Sequence, residues 1–421
     1  MSFKSKATRV LLASMLSIAT LSSASLTPDH VNAANEQVKI MLDGYNLPFP
    51  TEPTIIKGTT LVPFRAISEA LGIQVNWESK TKQIVAVKNL EQGSSKVVLT
   101  LGSKTASVNG QSAPLAIAPQ TLHGTTMIPL SFFSQQFGAK VNWDGATHTV
   151  SITSPQKKIY VSAFYAIDSY KEVSLLPKLN SVAFGWSRID NQSNYTTTGT
   201  DYRWPKPDGD VTPESLVTRA SSTGTAPYLM VFSGDTKLEL TKILENKTLR
   251  QSVIAQVVDT ATSKQFKGIN LDLEGLGLTG DAKKVQADYN IVVKEFADAA
   301  HAQGLLLSVE LPPLNGAYHG YDYKRIGQLA DEVVVMAYAY IKETLPQPDA
   351  KVDQAIQLAL KAIPKEKVVL GINLFSENAN TLLTKIGLAK RYDLKGVAFW
   401  RLGLGSQNIW SAVQESIVFT P

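Results

Sequence analysis

The sequence predicts an α/β protein in which a (β/α)8 barrel follows a small α+β domain made of two repeats. Three observations lead to this fold class. The chain has 421 residues, too many for one ordinary core. A sequence pattern recurs in the N-terminal part. After residue 158, eight apolar strand candidates alternate with amphipathic helical stretches.

Composition excludes several function classes. The chain contains no cysteine, so disulfides, thiolate metal sites and a cysteine nucleophile are ruled out. Its formal net charge of +5 is mild, and no basic stripe interleaved with aromatic residues favours nucleic acid as a partner. Neither His301 nor His319 indicates a Ser-His-Asp triad, because the sequence has no Gly-x-Ser-x-Gly elbow.

The N-terminus predicts a secretory signal peptide over residues 1–33. A basic start that includes Lys4 and Arg9 precedes the apolar segment 10–21, which is too short to span a bilayer comfortably. A small-residue cleavage pattern ends at Ala33. We therefore expect a secreted protein with no membrane span after cleavage. An uncleaved anchor is the alternative.

Residues 38–153 contain an internal repeat. The segment Gly58-Thr-Thr-Leu-Val-Pro-Phe-Arg is echoed 66 residues later by Gly124-Thr-Thr-Met-Ile-Pro-Leu-Ser, and Val-Asn-Trp77 is echoed at the same offset by Val-Asn-Trp143. Each unit has an alternating strand, a glycine turn, a short helix and a strand pair that carries the tryptophan. The helices are predicted over 65–71 and 131–137, and a glycine ends each of them.

This repeat pattern resembles the copper amine oxidase N-terminal-like domain, a stalk or surface module. We interpret it as a structural or wall-associating spacer, with Trp77 and Trp143 as core anchors, in preference to a catalytic domain. The resemblance implies no copper site. His123 and His148 are the only histidines in this region, and neither belongs to a cluster with metal-ligand spacing.

Residues 158–421 have the pattern of a barrel domain. The strand candidates are 159–165, 181–189, 228–233, 268–274, 305–311, 332–339, 368–375 and 396–402. The helical stretches with 3.6-residue periodicity are 249–265, 282–303, 351–363 and 381–392. Nearly continuous apolar strands indicate burial on both faces, as in parallel sheets. A doubly wound open sheet is the alternative, but it would carry a Gly-rich phosphate loop after its first strand, and residues 164–168 have none.

The fourth strand candidate carries the chemistry. Asn270, Asp272 and Glu274 point to one face, because side chains alternate along a strand, and aliphatic residues point to the other. Inside a barrel neither face meets bulk water, so two carboxyl groups and an amide would be costly unless paired or functional. They also approach the C-terminal end of the strand, where barrel enzymes keep their sites.

The same strand resembles the family-18 glycoside hydrolase signature Asp-Gly-x-Asp-x-Asp-x-Glu. Gly268, Asp272 and Glu274 match it, whereas Lys267 and Asn270 replace its first two aspartates. Four further segments extend the resemblance over 158–418, the last of them toward a subgroup of wall- and cortex-lytic enzymes: 181–188, Met336-Ala-Tyr338, 396–403 and 364–372.

The resemblance implies a retaining mechanism without a carboxylate nucleophile, in which the substrate's 2-acetamido oxygen attacks the anomeric carbon. Glu274 would be the catalytic acid, Asp272 would orient the acetamido group and Tyr338 would donate a hydrogen bond to its carbonyl oxygen. Trp400 would stack beneath the sugar. No metal or cofactor is implied, and the expected partner is a polysaccharide, either peptidoglycan or a chitin-like polymer. The resemblance thus implies that the secreted protein acts at the cell wall or spore envelope.

Two departures keep alternatives open. Ala339 replaces the aspartate that usually follows the tyrosine, and Asn270 cannot carry the family's charge, although it could still hydrogen-bond Asp272. A carbohydrate-binding protein without turnover and a surface scaffold therefore remain rivals. Met336 is a further substrate-binding candidate. Glu310 and Asp168 lie near strand ends, where each could line the cleft or be a solvated or paired rim charge. Trp186, Trp204 and Tyr340 could stack on sugars or belong to the core, and residues 195–207 are a candidate substrate loop.

Overall fold

The computed structural model describes residues 38–90, 93–342 and 344–419. The signal peptide predicted over residues 1–33 lies outside these ranges. Within them, no helix has both the length and the apolar character needed to cross a bilayer.

The N-terminal region is built from three small β-sheets and two short helices. Its strands are β1 (Lys39–Leu42), β2 (Tyr45–Asn46), β3 (Thr54–Ile56), β4 (Thr59–Pro63), β5 (Gln74–Glu78), β6 (Gln83–Leu90), β7 (Gly93–Thr100), β8 (Thr105–Val108), β9 (Gln111–Pro114), β10 (Gln120–Leu122), β11 (Thr125–Pro129), β12 (Lys140–Asp144) and β13 (Thr149–Thr153). Its helices are α1 (Phe64–Ala70) and α2 (Leu130–Gln136). Each helix begins one residue before the predicted range.

The two repeats meet about a local two-fold axis. Strands β4 and β11 pair antiparallel, with Val62 opposite Ile128, its counterpart in the second repeat. Each helix then follows its strand directly and packs into one shared core. The repeat inferred from sequence is thus a symmetric structural pair, which lets two short units bury apolar surface that neither could bury alone.

The expectation that both tryptophans anchor this core is wrong for Trp143. Trp77 packs against the core from a half-buried position. Trp143 lies on β12, an edge strand, and 44% of it is exposed. Its ring packs edge-to-face with the His148 ring, with centroids 5.8 Å apart, and does not enter the core of the N-terminal region.

The C-terminal region is a closed barrel of eight parallel strands. The barrel strands are β15 (Tyr160–Tyr165), β16 (Ser181–Ile189), β18 (Ala226–Ser233), β19 (Gly268–Leu273), β20 (Leu306–Leu311), β21 (Glu332–Val335), β22 (Val368–Asn373) and β23 (Gly396–Trp400). Closure is direct, because β15 pairs in parallel with both β16 and β23. The predicted (β/α)8 barrel is confirmed, and the open-sheet alternative is wrong.

Three minor strands complete the region: β14 (Lys157–Lys158), β17 (Tyr195–Thr196) and β24 (Ile417–Val418). The helices are α3 (Pro213–Ser222), α4 (Glu239–Glu245), α5 (Lys247–Ser263), α6 (Ala282–Ala302), α7 (Tyr323–Leu329), α8 (Asp349–Leu360), α9 (Ala379–Arg391) and α10 (Gln407–Ser416), with 3-10 helices at Ser169–Lys178 and Lys365–Lys367. The four predicted helices correspond to α5, α6, α8 and α9.

The barrel wall has one apolar cluster on its outer side and another on its inner side. A large apolar cluster fills the space between strands and helices. A smaller cluster fills the barrel interior and includes Phe164, Met230 and Val334. At the bottom of the interior, the buried Glu332 carboxylate receives Lys395 Nζ at 2.5 Å, which compensates its charge. The C-terminal end of the interior is left for the polar residues described next.

Candidate active site

The polar row on β19 faces the barrel interior, as its alternation predicts. Every residue of Gly268–Leu273 is buried. Leu271 belongs to the outer apolar layer, so Asn270 and Asp272 project inward from the same strand. Glu274 follows the strand directly, where its backbone N–H donates to the Ser233 carbonyl at 2.8 Å. The row therefore reaches the C-terminal mouth of the barrel.

Asp272 and Glu274 form a hydrogen-bonded pair. Asp272 is 4% exposed. Burial, followed by the charges of Glu274 and Glu310, raises the pKa of Asp272 well above its ordinary value. Two close carboxyl groups in such a place share a proton, since both cannot ionise cheaply. The pair can thus present one acid and one carboxylate to a ligand.

Asn270 and Glu310 lie deeper in the interior and are bound to each other. The Asn270 side-chain amide donates to Glu310 Oε1 at 2.7 Å and to Ser308 Oγ at 3.0 Å. Both amide protons are then used on β20, so the expectation that Asn270 hydrogen-bonds Asp272 with its amide is wrong. Glu310 is 1% exposed and accepts the Asn270 amide, so it is not the solvated rim charge that was the alternative to a place in the cleft.

Tyr338 reaches the site from the segment after β21. Gly371 on β22 makes room for its ring, because a Cβ there would lie 3.2 Å from Tyr338 Cε1. Burial raises the pKa of Tyr338 well above its ordinary value, and Glu310, Asp272 and Glu274 add to the effect. The hydroxyl is therefore held as a hydrogen-bond donor among the carboxyl groups. Met336, two residues earlier, is buried at 6% exposure.

Trp400 closes the opposite side of the mouth at the end of β23. Its ring packs against Phe164 of β15, with centroids 5.1 Å apart. Asn373, which ends β22, is paired in register with Trp400 and is 8% exposed. The peptide bond from Trp400 to Arg401 is cis. The barrel thus brings the carboxyl pair, a tyrosine and a tryptophan from three separate strands to one end.

Tyr202 is a site residue that the sequence reasoning did not single out. It lies in the loop after β16, and its ring stacks on Phe232 of β18 at 4.5 Å and 29°. Phe232 stands beside Asp272 in the sheet register. Only the prediction of a substrate loop over residues 195–207 pointed to this part of the chain.

Trp186 is placed away from the carboxyl pair. Its ring packs against Phe184 at 4.3 Å and Trp204 at 5.2 Å, in the layer between the barrel and the helices. Val182 and Phe184 of the same strand lie in this layer too, so ordinary alternation along β16 already directs Trp186 away from the barrel interior. Asp168 is exposed in the loop after β15. Tyr340 donates its hydroxyl to Asn315 at 2.8 Å, which joins two loops on the same end of the barrel.

Comparison with known proteins identifies the family to which this barrel belongs. The profile described as glycosyl hydrolases family 18 matches residues 156–382. The chain belongs to that family. A second profile, the copper amine oxidase N-terminal domain, matches residues 41–152, as the repeat pattern predicted.

Curated relatives of this family-18 chain are bacterial. It is 24% identical over 241 residues to the cortical fragment-lytic enzyme of Bacillus subtilis strain 168, covering 41% of this chain and 55% of that protein. It is 26% identical over 273 residues to the cortical fragment-lytic enzyme of Bacillus anthracis, covering 48% and 62%. The chain thus matches little more than half the length of these relatives.

Solved structures share the barrel. The spore cortex-lytic enzyme SleL of Bacillus megaterium QM B1551 aligns with a TM-score of 0.52 at 16% identity, covering 63% of this chain and 76% of that one. A chitinase from Chromobacterium violaceum ATCC 12472 aligns with a TM-score of 0.50 at 18% identity, covering 61% and 98%. At these identities the likeness establishes the fold alone.

Proposed function

We propose that this chain is a secreted glycoside hydrolase that cleaves β-1,4-linked N-acetylglucosaminyl bonds in peptidoglycan, including spore cortex, or in chitin-like polymers. The observation that carries the proposal is the hydrogen-bonded Asp272–Glu274 pair inside a closed barrel. Two carboxyl groups in such a place are costly to the fold, which favours a functional role. Family membership and the cortex-lytic relatives support the same reaction class.

In the proposed reaction Glu274 gives its proton to the glycosidic oxygen as the bond to the anomeric carbon breaks. The substrate's acetamido oxygen forms the new bond to that carbon, so no enzyme carboxylate becomes attached to the sugar. Water then attacks the anomeric carbon of the cyclic intermediate, and the Glu274 carboxylate takes up a proton from that water. The configuration at the anomeric carbon is retained, and the enzyme ends as it began.

The neighbouring groups fit the remaining roles. Asp272 accepts the acetamido N–H and carries the negative charge that the cationic ring intermediate needs. Tyr338 donates its hydroxyl to the acetamido oxygen, and the raised pKa keeps that donor protonated. Trp400 gives the sugar an aromatic floor. Asn270, Glu310 and Met336 form the base and wall around the acetamido pocket, whereas Trp186 would contact only more distant parts of a chain.

The N-terminal region is proposed as a stalk over residues 38–153, followed by the hydrolase domain over 158–421. It would associate with the wall or hold the barrel at a fixed distance from it. Contacts between the two regions support a fixed arrangement: Tyr45 donates its hydroxyl to Asp353 at 3.5 Å, and Arg391 donates to the Asn46 carbonyl oxygen at 3.4 Å. Export by the signal peptide over 1–33 belongs to the same proposal.

A second candidate is a carbohydrate-binding protein that has lost turnover. Ala339 favours it, because this residue brings no polar side chain to the position after Tyr338 where the family pattern has an aspartate. Its backbone lies in the left-handed region, with φ of 61°. This candidate predicts glycan binding without release of reducing ends.

The test is digestion of purified cortex fragments and chitin side by side, with products identified by mass spectrometry. Wild-type protein should release reducing ends ending in N-acetylglucosamine, and Glu274→Gln should lower the rate by orders of magnitude while its melting temperature and ligand affinity stay near wild type. Equal product release by both proteins would overturn the assignment of Glu274. Binding without products would establish the second candidate.

A further inference from the structure

A loop aromatic occupies the mouth of the barrel beside the carboxyl pair. The Tyr202 ring lies over Gly185 of β16, where an added Cβ would come 3.2 Å from Tyr202 Cδ1. The ring also stacks on Phe232, and its centroid is 6.5 Å from that of Trp400. Tyr202 therefore lies in the same opening as Trp400. Tyr338, which follows the sixth barrel strand β21, approaches that opening from the other side of the barrel.

Arg188 holds this loop in place. Its guanidinium donates from Nη1 to the carbonyl oxygens of Thr198 at 2.6 Å and Asp201 at 2.7 Å. These acceptors come from both ends of the turn that leads to Tyr202. Tyr202 itself has φ of 44°, a left-handed conformation that a bulky residue keeps only when its surroundings impose it. The ring is thus preorganised by a side chain whose guanidinium is hydrogen-bonded to the backbone of the loop.

A cavity of about 520 Å³ opens on the other side of this ring, between the loops after β15 and β16. Its size is within the range of ~300–1,000 Å³ typical of small-molecule sites. Tyr202 and Gly185 line it, together with Tyr170, which is 53% exposed, and the charged residues Asp168 and Lys206. Exposed aromatic faces flanked by charged hydrogen-bonding groups suit a sugar ring, which has apolar faces and a polar edge.

We propose that Tyr202 is a substrate-contacting residue, and that it forms the wall between the reacting-sugar site and a second saccharide site in this side cavity. Arg188 acts as the positioning residue for that wall. The inference rests on the proposed function, because it assigns to the cavity a neighbouring N-acetylhexosamine unit of the same glycan. The proposal also gives a reason for the left-handed backbone of Tyr202, which Arg188 fixes at the mouth of the barrel.

The test compares variants for binding and for turnover. Binding of chitobiose and chitotetraose is measured calorimetrically in the Glu274→Gln background, and KM and kcat for chitotetraose are measured in the active protein. Tyr202→Ala and Tyr202→Leu should weaken chitotetraose binding about tenfold, the size of a lost aromatic contact, and weaken chitobiose binding less. Tyr202→Phe should stay within threefold of wild type.

Arg188→Gln should raise KM in the same direction, with a smaller change in kcat. The double variant Arg188→Gln/Tyr202→Ala should be no worse than Tyr202→Ala, because Arg188 acts through that ring. Arg219→Gln, which removes an exposed arginine from α3, is the matched control and should leave KM unchanged.

The outcomes separate the two proposals. Hydrolysis by wild type together with unchanged chitotetraose affinity in both Tyr202→Ala and Tyr202→Leu would overturn this inference and leave the proposed function standing. Additive effects of Arg188→Gln and Tyr202→Ala would overturn the positioning role. A wild-type protein that neither binds nor cleaves these oligosaccharides or purified cortex fragments would overturn both proposals.

Discussion

Gly371→Ala perturbs the position of Tyr338 without changing any polar group. A Cβ at residue 371 would lie 3.0 Å from the Val335 carbonyl oxygen and 3.2 Å from Tyr338 Cε1, whereas ordinary contact begins at 3.4 Å. The ring and the neighbouring strand must therefore move apart by a few tenths of an ångström. Tyr338 is the proposed donor to the acetamido oxygen, so that displacement falls on the reacting geometry.

The expected effect on rate exceeds the effect on stability. Overpacking of this kind costs ~1–3 kcal/mol, or a few degrees in melting temperature. Misplacement by ~1 Å costs about 10²-fold in rate, so a shift of a few tenths of an ångström should lower kcat about tenfold. Removing the hydroxyl itself in Tyr338→Phe should cost ~10²–10³-fold, as for loss of one donor to a developing charge.

The assay is reducing-end release at saturating chitotetraose, well below the melting temperature of each variant. Gly371→Ala/Tyr338→Phe should be no slower than Tyr338→Phe, since the misplaced hydroxyl is already absent. Wild-type turnover in Gly371→Ala would refute the link between this glycine and the tyrosine. Multiplying losses in the double variant would show that the glycine acts on some other part of the site.

Three further predictions concern burial. Glu310→Gln should raise the melting temperature more at pH 8 than at pH 4. Burial raises the pKa of Glu310 well above its ordinary value; the hydrogen bond from Asn270 opposes this shift, and the charges of Glu332 and Glu274 add to it. Wild-type stability therefore falls as the pH rises from the unfolded pKa of ~4.3 toward the folded one, and a gain that does not depend on pH would contradict this. Lys395→Met should lower the free energy of unfolding by ~3–5 kcal/mol in urea, because Glu332 would lose the cation that compensates its buried charge, and Lys395→Met/Glu332→Gln should recover most of the loss. Trp143→Ala should change the free energy of unfolding by no more than ~0.5 kcal/mol and Trp77→Ala by more, whereas equal costs would contradict their different burial.

The barrel strands were predictable because each is an apolar run buried on both faces. The main error in length was the sixth, predicted over 332–339 but observed as Glu332–Val335. There the chain leaves the sheet, as the Ala337 and Tyr338 amides bond to carbonyls only two residues back. Helix α3 had a sequence signal that was overlooked, a capping box of Thr212 and Ser215 with a proline at its start. Helices α4 and α7, seven residues each, are too short to show a period.

The candidate site likewise has one part that was predictable from the sequence and another that was not. The inward row on β19 followed from strand alternation, a local property. The partners of Asn270 on β20 and the arrival of Tyr202 at the barrel mouth depend on tertiary contacts that no spacing in the sequence encodes. Trp186 was a candidate for sugar stacking, but it lies in the layer between the barrel and the helices with Val182 and Phe184, as alternation along β16 requires once the inner face of that strand is known.

The most direct test of the central claim is the anomer first formed from chitotetraose, followed by proton NMR before mutarotation. In the proposed mechanism the substrate's own acetamido group supplies the nucleophile, so the configuration at the anomeric carbon is retained. The prediction is the β-anomer from wild type, with no product above background from Glu274→Gln. Formation of the α-anomer as the first product, or product release by Glu274→Gln at the wild-type rate, would contradict the mechanism.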